Sequence, residues 1–505
     1  MLTDEEKGGK MKAQRNFKLL FSCNGLAGKS QSFETGALRD GILPEKQKKR
    51  FAWCVVPLTL LVCMGIVAMT AAVAAAGRTP EEEMSKTVDK VCPQLPKDLS
   101  AQNPVGDLNL RCGELITPGL SGDFSALESD QKNGLSNMTS DETDTMGAVS
   151  VDISYAQFAA VTGRLAYLRG VGGGGLALNI NNEKADPILF AGPVTAAAGG
   201  NESQALELGV LGGRLGLFLN GSYATGDKDD TRLEPGFDID SWEVIGGADY
   251  RFTNNLFLGL ALGYSWTDVD IDNDAGDVDV DGLAVSVYGT YYIDNFYFDA
   301  IGTYAKKDYS INRKLKYTVN GTTVNQKFKA DPGSDEFSFS VGGGYDFNYK
   351  KFTFGPYVRA DYLDIEIDQY TEALSNNNTN PGFGLPLKVE QQNIESLTSS
   401  LGGKVSYVFR TGPSVLTPYL SAEWVHEFDN DSRNIKASFI NAPAGTNGNT
   451  IIIPTDDPDR DFANFGLGLS AVFPHGIMAF VDWQTILGLS DVTLNQITSG
   501  LRFEF

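Results

Sequence analysis

The chain has 505 residues, with 56 glycines, 29 phenylalanines and 19 tyrosines, a balance that suits many strands and turns better than an ordinary α/β enzyme. Its formal net charge of -23 argues against a nucleic-acid binder. Two histidines leave little room for a zinc centre or for histidine-based catalysis.

Residues 1–50 are polar and read as an extended n-region that ends on Lys48, Lys49 and Arg50. An uncharged stretch from Phe51 to Ala76 follows and closes on three alanines. A basic flank, an apolar centre and a small-residue exit are the layout of a secretory signal, with cleavage expected after Ala76. The stretch is also long enough to span an inner membrane, but alanine fills much of its second half. Loss of the signal removes Cys23, Cys54 and Cys63 and leaves Cys92 and Cys112 as a pair in an oxidising compartment, where a disulfide is expected. Closing that loop contributes about 3 kcal/mol in the chain-entropy picture.

Residues 77–148 form a small N-terminal region. Within it, Glu81 to Cys112 reads as a helical hairpin closed by the disulfide, and Ser121 to Met146 as a polar linker. Over 149–211, Phe158, Val161, Leu165 and Leu168 recur at three- and four-residue spacing, which predicts a short helix that also carries Arg164. Glycines 172 to 175 end it. Such a helix could lie on a small domain or thread an acidic lumen.

From Gly212 to Phe505 twelve segments alternate in polarity, beginning near Leu215, Trp242, Leu256, Leu283, Phe296, Phe337, Phe352, Ile394, Val415, Phe465, Ile477 and Leu494. In the third, Leu256, Leu258, Leu260, Leu262, Tyr264 and Trp266 share one face, against Gly259, Ala261, Gly263, Ser265 and Thr267. Short turns, such as Asp294-Asn295, alternate with long polar excursions around 227–238, 268–281, 312–332, 371–386 and 429–461. Only the link near Ser490-Asp491 departs from that rule. Alternating loop size is the mark of a transmembrane barrel, whose even strand count brings both ends to one side. The last strand places Leu501, Phe503 and Phe505 on one face and Arg502 and Glu504 on the other.

In order over one barrel, several stretches carry a family resemblance. They are Gly213-Arg214-Leu215-Gly216, Asn220-Gly221-Ser222-Tyr223, Gly247 to Phe252, Glu395 to Thr398, Glu423 to Phe428 and the terminal Leu501 to Phe505. Together they make residues 212–505 resemble the C-terminal translocator domain of bacterial autotransporters. The resemblance implies a Gram-negative outer membrane, a helix within the pore, and export of what lies N-terminal to it. It also implies that Leu501, Phe503 and Phe505 are the signal read by the barrel-assembly machinery. The candidate passenger is short and has no repeat-built stalk, which departs from the family pattern. Asn181-Asn182 superficially resembles the self-cleavage pairs of some relatives but follows the predicted helix.

Chemistry elsewhere is sparse. His426 lies beside Glu423 and Glu427, but alternation turns His426 to the lipid side with Trp424 and Phe428 and both glutamates inward. The aspartates at 268, 270, 272, 274, 277, 279 and 281 have the alternate-residue spacing of a calcium loop, yet Gly276 falls one place late and no glutamate closes the loop. An acidic external hairpin is the simpler reading.

The expectation is therefore a mainly β protein: a 12-stranded antiparallel transmembrane β-barrel with a short, partly helical N-terminal region. It is expected to be a non-enzymatic outer-membrane protein without metal or cofactor, a monomer that meets lipid, lipopolysaccharide, periplasmic chaperones and the assembly machinery. A diffusion channel with a periplasmic N-terminal domain, or an adhesin acting through acidic external loops, are the alternatives.

Overall fold

The computed structural model describes residues 78–116, 124–139, 142–143, 145–147, 151, 214–411, 414–473 and 477–504. The expected n-region and signal, the helix bearing Phe158, Val161, Arg164, Leu165 and Leu168, the Asn181-Asn182 pair and Phe505 lie outside the described residues.

Twelve strands form the wall. They are β1 (Leu215–Lys228), β2 (Phe237–Arg251), β3 (Leu256–Ile271), β4 (Gly276–Ile293), β5 (Phe296–Val319), β6 (Gly333–Tyr345), β7 (Phe352–Ile367), β8 (Gln392–Tyr407), β9 (Ser414–Glu427), β10 (Asp461–Val472), β11 (Ile477–Leu487) and β12 (Val492–Glu504). Each pairs antiparallel with its neighbours, and β12 returns to β1 from Gly216↔Glu504 to Lys228↔Val492. The cylinder is closed.

Within the wall the alternation runs as the side-chain period demands. Leu258, Leu260, Leu262, Leu283, Val285 and Val287 are exposed on the outside, while Ala261, Ser265, Ala284 and Ser286 are buried inside. Aromatic rings collect at both rims of this apolar band, as at a membrane interface. At the short-turn rim, Tyr345 packs on Phe296 and Phe347 with centroids 4.6 and 4.4 Å apart, and Tyr407 on Phe352 and Phe409 at 4.6 and 4.5 Å. At the other rim, the Tyr264 hydroxyl donates to Asp281 at 2.8 Å, and those of Tyr223 and Tyr304 donate to Asp240 and Asp335.

Past that second rim the pattern inverts. Outward positions become Asp238, Asp240, Asp268, Asp270, Asp279 and Asp281, and inward ones become the buried Phe237, Ile239, Val269, Ile271, Val278 and Val280. Water now lies outside and protein inside. The wall therefore begins earlier than expected at β2, β4, β6 and β10, because the backbone ladder continues where outward hydrophobicity stops. Asp268, Asp270, Asp279 and Asp281 thus stand on the solvent face of β3 and β4, as an acidic external hairpin requires. Among the described residues no three acidic, histidine or cysteine side chains group to hold a metal ion.

The long excursions are also built of β structure. β5 turns back at Asn320-Gly321, both at positive φ, into a strand at Thr322–Ala330. Tyr370–Thr371, Leu387–Val389, Asn434–Phe439 and Ile451–Pro454 form a separate four-stranded sheet.

Against these loops pack three helices, α1 (Pro80–Val91), α2 (Pro104–Leu115) and α3 (Ser129–Ser136). Thr79 and Glu82 cap α1 reciprocally, and Asn103 Oδ1 caps α2 by accepting from Val105 at 2.9 Å. A disulfide joins Cys92 to Cys112, with Cα atoms 5.6 Å apart. The stretch expected as a polar linker instead contains α3, whose Leu135 is fully buried, because the loop strands supply an apolar surface that the local sequence does not reveal. Met84, Val88, Leu108, Leu115, Leu135 and Met146 share one core with Leu315, Val324, Phe328, Ile451 and Ile453.

Not every inward position is polar. Phe218, Ile245, Phe257, Ala261, Tyr288 and Ile301 make an apolar cluster inside the wall, so Ala261→Arg would disrupt packing and cannot serve as a neutral lumen substitution. Thr417, on the lining of the open part, is the better comparison. Leu260→Arg is expected to lower barrel stability by about 2 to 4 kcal/mol, with Thr417→Arg changing it by less than about 1 kcal/mol. Urea unfolding in lipid vesicles measures both, and equal losses would reject the assigned facing.

Candidate functional site at the long-loop mouth

Two features meet at the end of the barrel that bears the long loops. One is the lumen, and the other is the helical cap formed by α1, α2 and α3.

The lumen wall is cross-linked by charge. Arg359 on β7 donates to Asp361 at 2.8 Å and reaches over β8 to Glu423 on β9 at 3.2 Å. Tyr357 and Asn464 each donate to the same Glu423 carboxylate at 2.8 Å. Lys307 pairs with Glu336 at 2.6 Å, and Arg502 on β12 pairs with Asp249 on β2 at 3.2 Å. The last pair crosses β1 at Gly216, where a Cβ would come within 2.5 Å of the Arg502 guanidinium. These buried charges are paired across strands, and the Glu423 carboxylate is hydrogen-bonded as well, so they tie strands together while keeping the interior hydrophilic. One continuous cavity is lined by Asn295 and Asn348 at the short-turn end and by Gly147, Val151 and Arg433 at the long-loop end.

The cap is held by specific contacts as well as by apolar packing. Asp107, buried on the first turn of α2, accepts the backbone N–H of Gly382 at 3.0 Å and of Gly384 at 2.8 Å. Burial raises its carboxyl above the usual range, and donation from Gly384 and Gly382 together with the charge of Arg111 offsets part of that shift. Gly384 is required by close approach, since a Cβ there would lie 2.2 Å from the Pro104 carbonyl oxygen. Thr87 donates to the Thr450 carbonyl at 2.9 Å, and Gln94 exchanges two hydrogen bonds with the backbone of Asn447 at 2.8 and 2.9 Å.

Beneath the cap, Arg313 on β5 makes a two-pronged pair with Glu372, both contacts 2.6 Å, and lies over the Phe328 ring. Glu372 also accepts from the Leu387 amide at 2.7 Å. This pair fastens the β5 hairpin to the four-stranded loop sheet on which α1 rests. Thr143 and Tyr370 hydroxyls meet at 2.9 Å, so the segment leaving α3 is tied to the same sheet.

Sequence-selected residues fall on both sides of the wall. Cys92 and Cys112 sit in the cap core, and Leu501 and Phe503 are exposed on the outward face of β12. His426 is outward too. Its Nδ1 lies 2.8 Å from Asp461 and its ring lies between Trp424 and Phe428, while Glu423 and Glu427 face inward. Asp107, Gly382, Gly384, Arg313 and Glu372 were not singled out from sequence. The run Pro381-Gly382-Phe383-Gly384 was their one local signal, and it marks a turn without naming its partner.

The autotransporter β-domain family matches residues 217–484. The chain is 22% identical over 258 residues to Esterase EstA of Pseudomonas aeruginosa, covering 50% of this chain and 37% of that protein. It is 25% identical over 292 residues to Outer membrane protein B of Rickettsia prowazekii, covering 53% of this chain and 17% of that one. The chain thus spans little more than a third of the length of the first of these relatives. Among solved structures, the translocator domain of autotransporter NalP from Neisseria meningitidis aligns with 12% identity and a TM-score of 0.45, over 58% of this chain and 88% of that one. The β-domain of the Bordetella autotransporter BrkA aligns with 16% identity and a TM-score of 0.40, over 58% and 100%.

Asp107→Ala leaves two loop amides without their acceptor and should cost the cap about 1 to 3 kcal/mol. Limited proteolysis of the folded protein in detergent should show faster cleavage within residues 78–139, with the unboiled barrel band unchanged. Unaltered cap protection would refute the assigned role of Asp107.

Proposed function

The chain belongs to the autotransporter β-domain family, and from that premise we propose that its barrel carries residues 78–151 to the cell surface and keeps them there as a docked cap. The barrel is an outer-membrane translocator. Whether a passenger is released or retained depends on what holds it, and here the observation that carries the reading is the shared core. Leu108, Leu115 and Leu135 of the cap are as fully buried as Leu315, Val324 and Ile451 of the loops beneath them. A domain meant to depart would not leave its own apolar residues in a common core with its exporter.

Topology supports passage through the lumen. Gly147 lies against Arg433 at the long-loop mouth, whereas Leu215 opens β1 at the short-turn rim. We propose that the connection between these two ends passes inside the wall, because hydrocarbon outside it is closed to an unpaired polar backbone. The hydrophilic cavity is the available route. On this proposal the segment with Phe158, Val161, Arg164, Leu165 and Leu168 is the pore helix.

Export begins with cleavage after Ala76, periplasmic chaperones hold the chain, and the assembly machinery reads Leu501, Phe503 and Phe505. The protein acts as a monomer among lipid and lipopolysaccharide. We assign it no enzymatic role, because the carboxylate-bound imidazole of His426 stands on the outward face, apart from the lumen. A periplasmic N-terminal domain below an open channel is disfavoured by the contacts that fix the cap to the long loops.

An epitope inserted between Lys97 and Ser100, all exposed in the cap, provides the test. Antibody should label intact cells, and the epitope should stay with the barrel band in unboiled gels. Labelling only after lysis would reject surface display, and epitope recovered in the medium would reject retention.

A further inference from the structure

The hairpin formed by β5 and Thr322–Ala330 stands beyond the membrane band with two unlike faces. Its inner face, Leu315, Tyr317, Val319, Val324 and Phe328, is buried under the cap. Its outer face carries Asn312, Lys314, Lys316 and Thr318 on one strand and Thr323, Asn325, Lys327 and Lys329 on the other. The register sets Asn312 beside Lys329, Lys314 beside Lys327, Lys316 beside Asn325 and Thr318 beside Thr323. No carboxylate interrupts these eight positions, on a chain whose acidic residues outnumber basic ones 64 to 41.

The arrangement works against the hairpin itself. Like charges directly opposite one another, as at Lys314 and Lys327, destabilise a strand pair. Lys314 is relieved by Asp274 at 2.8 Å. Lys316, Lys327 and Lys329 have no ion pair among the described residues. Asp274 and Asp277 engage Lys314 and Asn312 at one edge, and the remaining ammonium, amide and hydroxyl groups form a surface complementary to an anionic sugar chain.

Position decides which sugar chain. The outer face continues the lipid-facing side of β5, where Phe298 and Tyr304 are exposed, through Lys306, which pairs with Asp335 at 3.2 Å, and the exposed Asp308 to Lys314 and Lys316 above them. The lysines therefore stand on the outward side of the wall, beyond the rim and toward the surrounding outer leaflet. We propose that this ribbon binds the phosphorylated saccharide of lipopolysaccharide packed beside the barrel, with Lys316, Lys327 and Lys329 as phosphate ligands and Asn325 and Thr323 as sugar contacts. The inference rests on the outer-membrane reading above. Its effect is to anchor the hairpin laterally, and with it the cap that the inner face supports.

The test uses the full chain, purified in detergent and titrated with lipopolysaccharide of defined phosphate content. Lys316→Gln, Lys327→Gln and Lys329→Gln together should weaken binding of phosphorylated lipopolysaccharide about tenfold or more, since each lysine near an anionic surface adds a comparable increment. Dephosphorylated lipopolysaccharide should bind the native chain and the triple variant alike. Equal affinity of both proteins for the phosphorylated form overturns the proposal. A soluble sulfated glycan bound by the native chain and lost in the variant, with lipopolysaccharide affinity unchanged, also overturns it and assigns the ribbon to a free polysaccharide. A boiling-dependent gel shift in both proteins separates these outcomes from failure of the barrel reading, which would remove the shift from the native chain as well.

Discussion

Pairing of β1 with β12 leaves no strand of the wall with an open edge, and in hydrocarbon that closure is obligatory, because each unpaired peptide group there costs several kcal/mol. Much else in the molecule is arranged around this ring. Side chains on its outer surface must be apolar, which releases the inner surface to hold Arg359, Glu423, Lys307 and Glu336 in matched pairs. Closure also divides the molecule into two ends joined only through the middle. The short-turn end receives both termini of the wall, and the long-loop end carries the elaborated structure.

That elaboration depends on the change of solvent at the upper rim. Within the band, a strand meets lipid outside and a hydrophilic lumen inside. Above it, the same strand meets water outside and the cap core inside, so the apolar side chains move to the opposite face without any break in the ladder. Asp268 and Asp270 outward with Val269 and Ile271 inward is the same alternation displaced by one residue. The inversion gives the barrel a second, soluble-type hydrophobic core on top of its membrane-type exterior, and the N-terminal helices complete it. Barrel and cap thus share one packed unit whose two ligatures, Asp107 to the Gly382 and Gly384 amides and Arg313 to Glu372, fall where apolar contact alone would permit sliding.

Two local patterns did not by themselves fix the structure around them. The alternate aspartates match the spacing of a cation loop as well as a strand's wet face, and local sequence cannot separate the two, because both place carboxylates on every second residue. Asn320-Gly321 is a strong hairpin turn, yet it sits within a polar excursion whose apolar members, Leu315, Tyr317, Val324 and Phe328, look outward or inward only once a partner is known. The helix at Ser129–Ser136 was hidden for a similar reason: it is polar on most sides and becomes stable through Leu135, whose pocket belongs to other segments.

The amino-acid sequence by itself determined the strand number, the antiparallel order, the outward faces of β3, β9 and β12 and the pairing of Cys92 with Cys112. Each follows from a short-range rule: period-two alternation, turn length, or a pair of thiols left in an oxidising compartment. Only the tertiary structure decided that the N-terminal helices dock on the long loops, that those loops form sheets, and that Asp107, Gly384, Arg313 and Glu372 secure them. Those choices rest on contacts between residues some 60 to 360 positions apart, such as Arg313 with Glu372 and Thr87 with Thr450. Side chains so distant in the chain carry no mark of one another until the closed wall brings them to the same mouth.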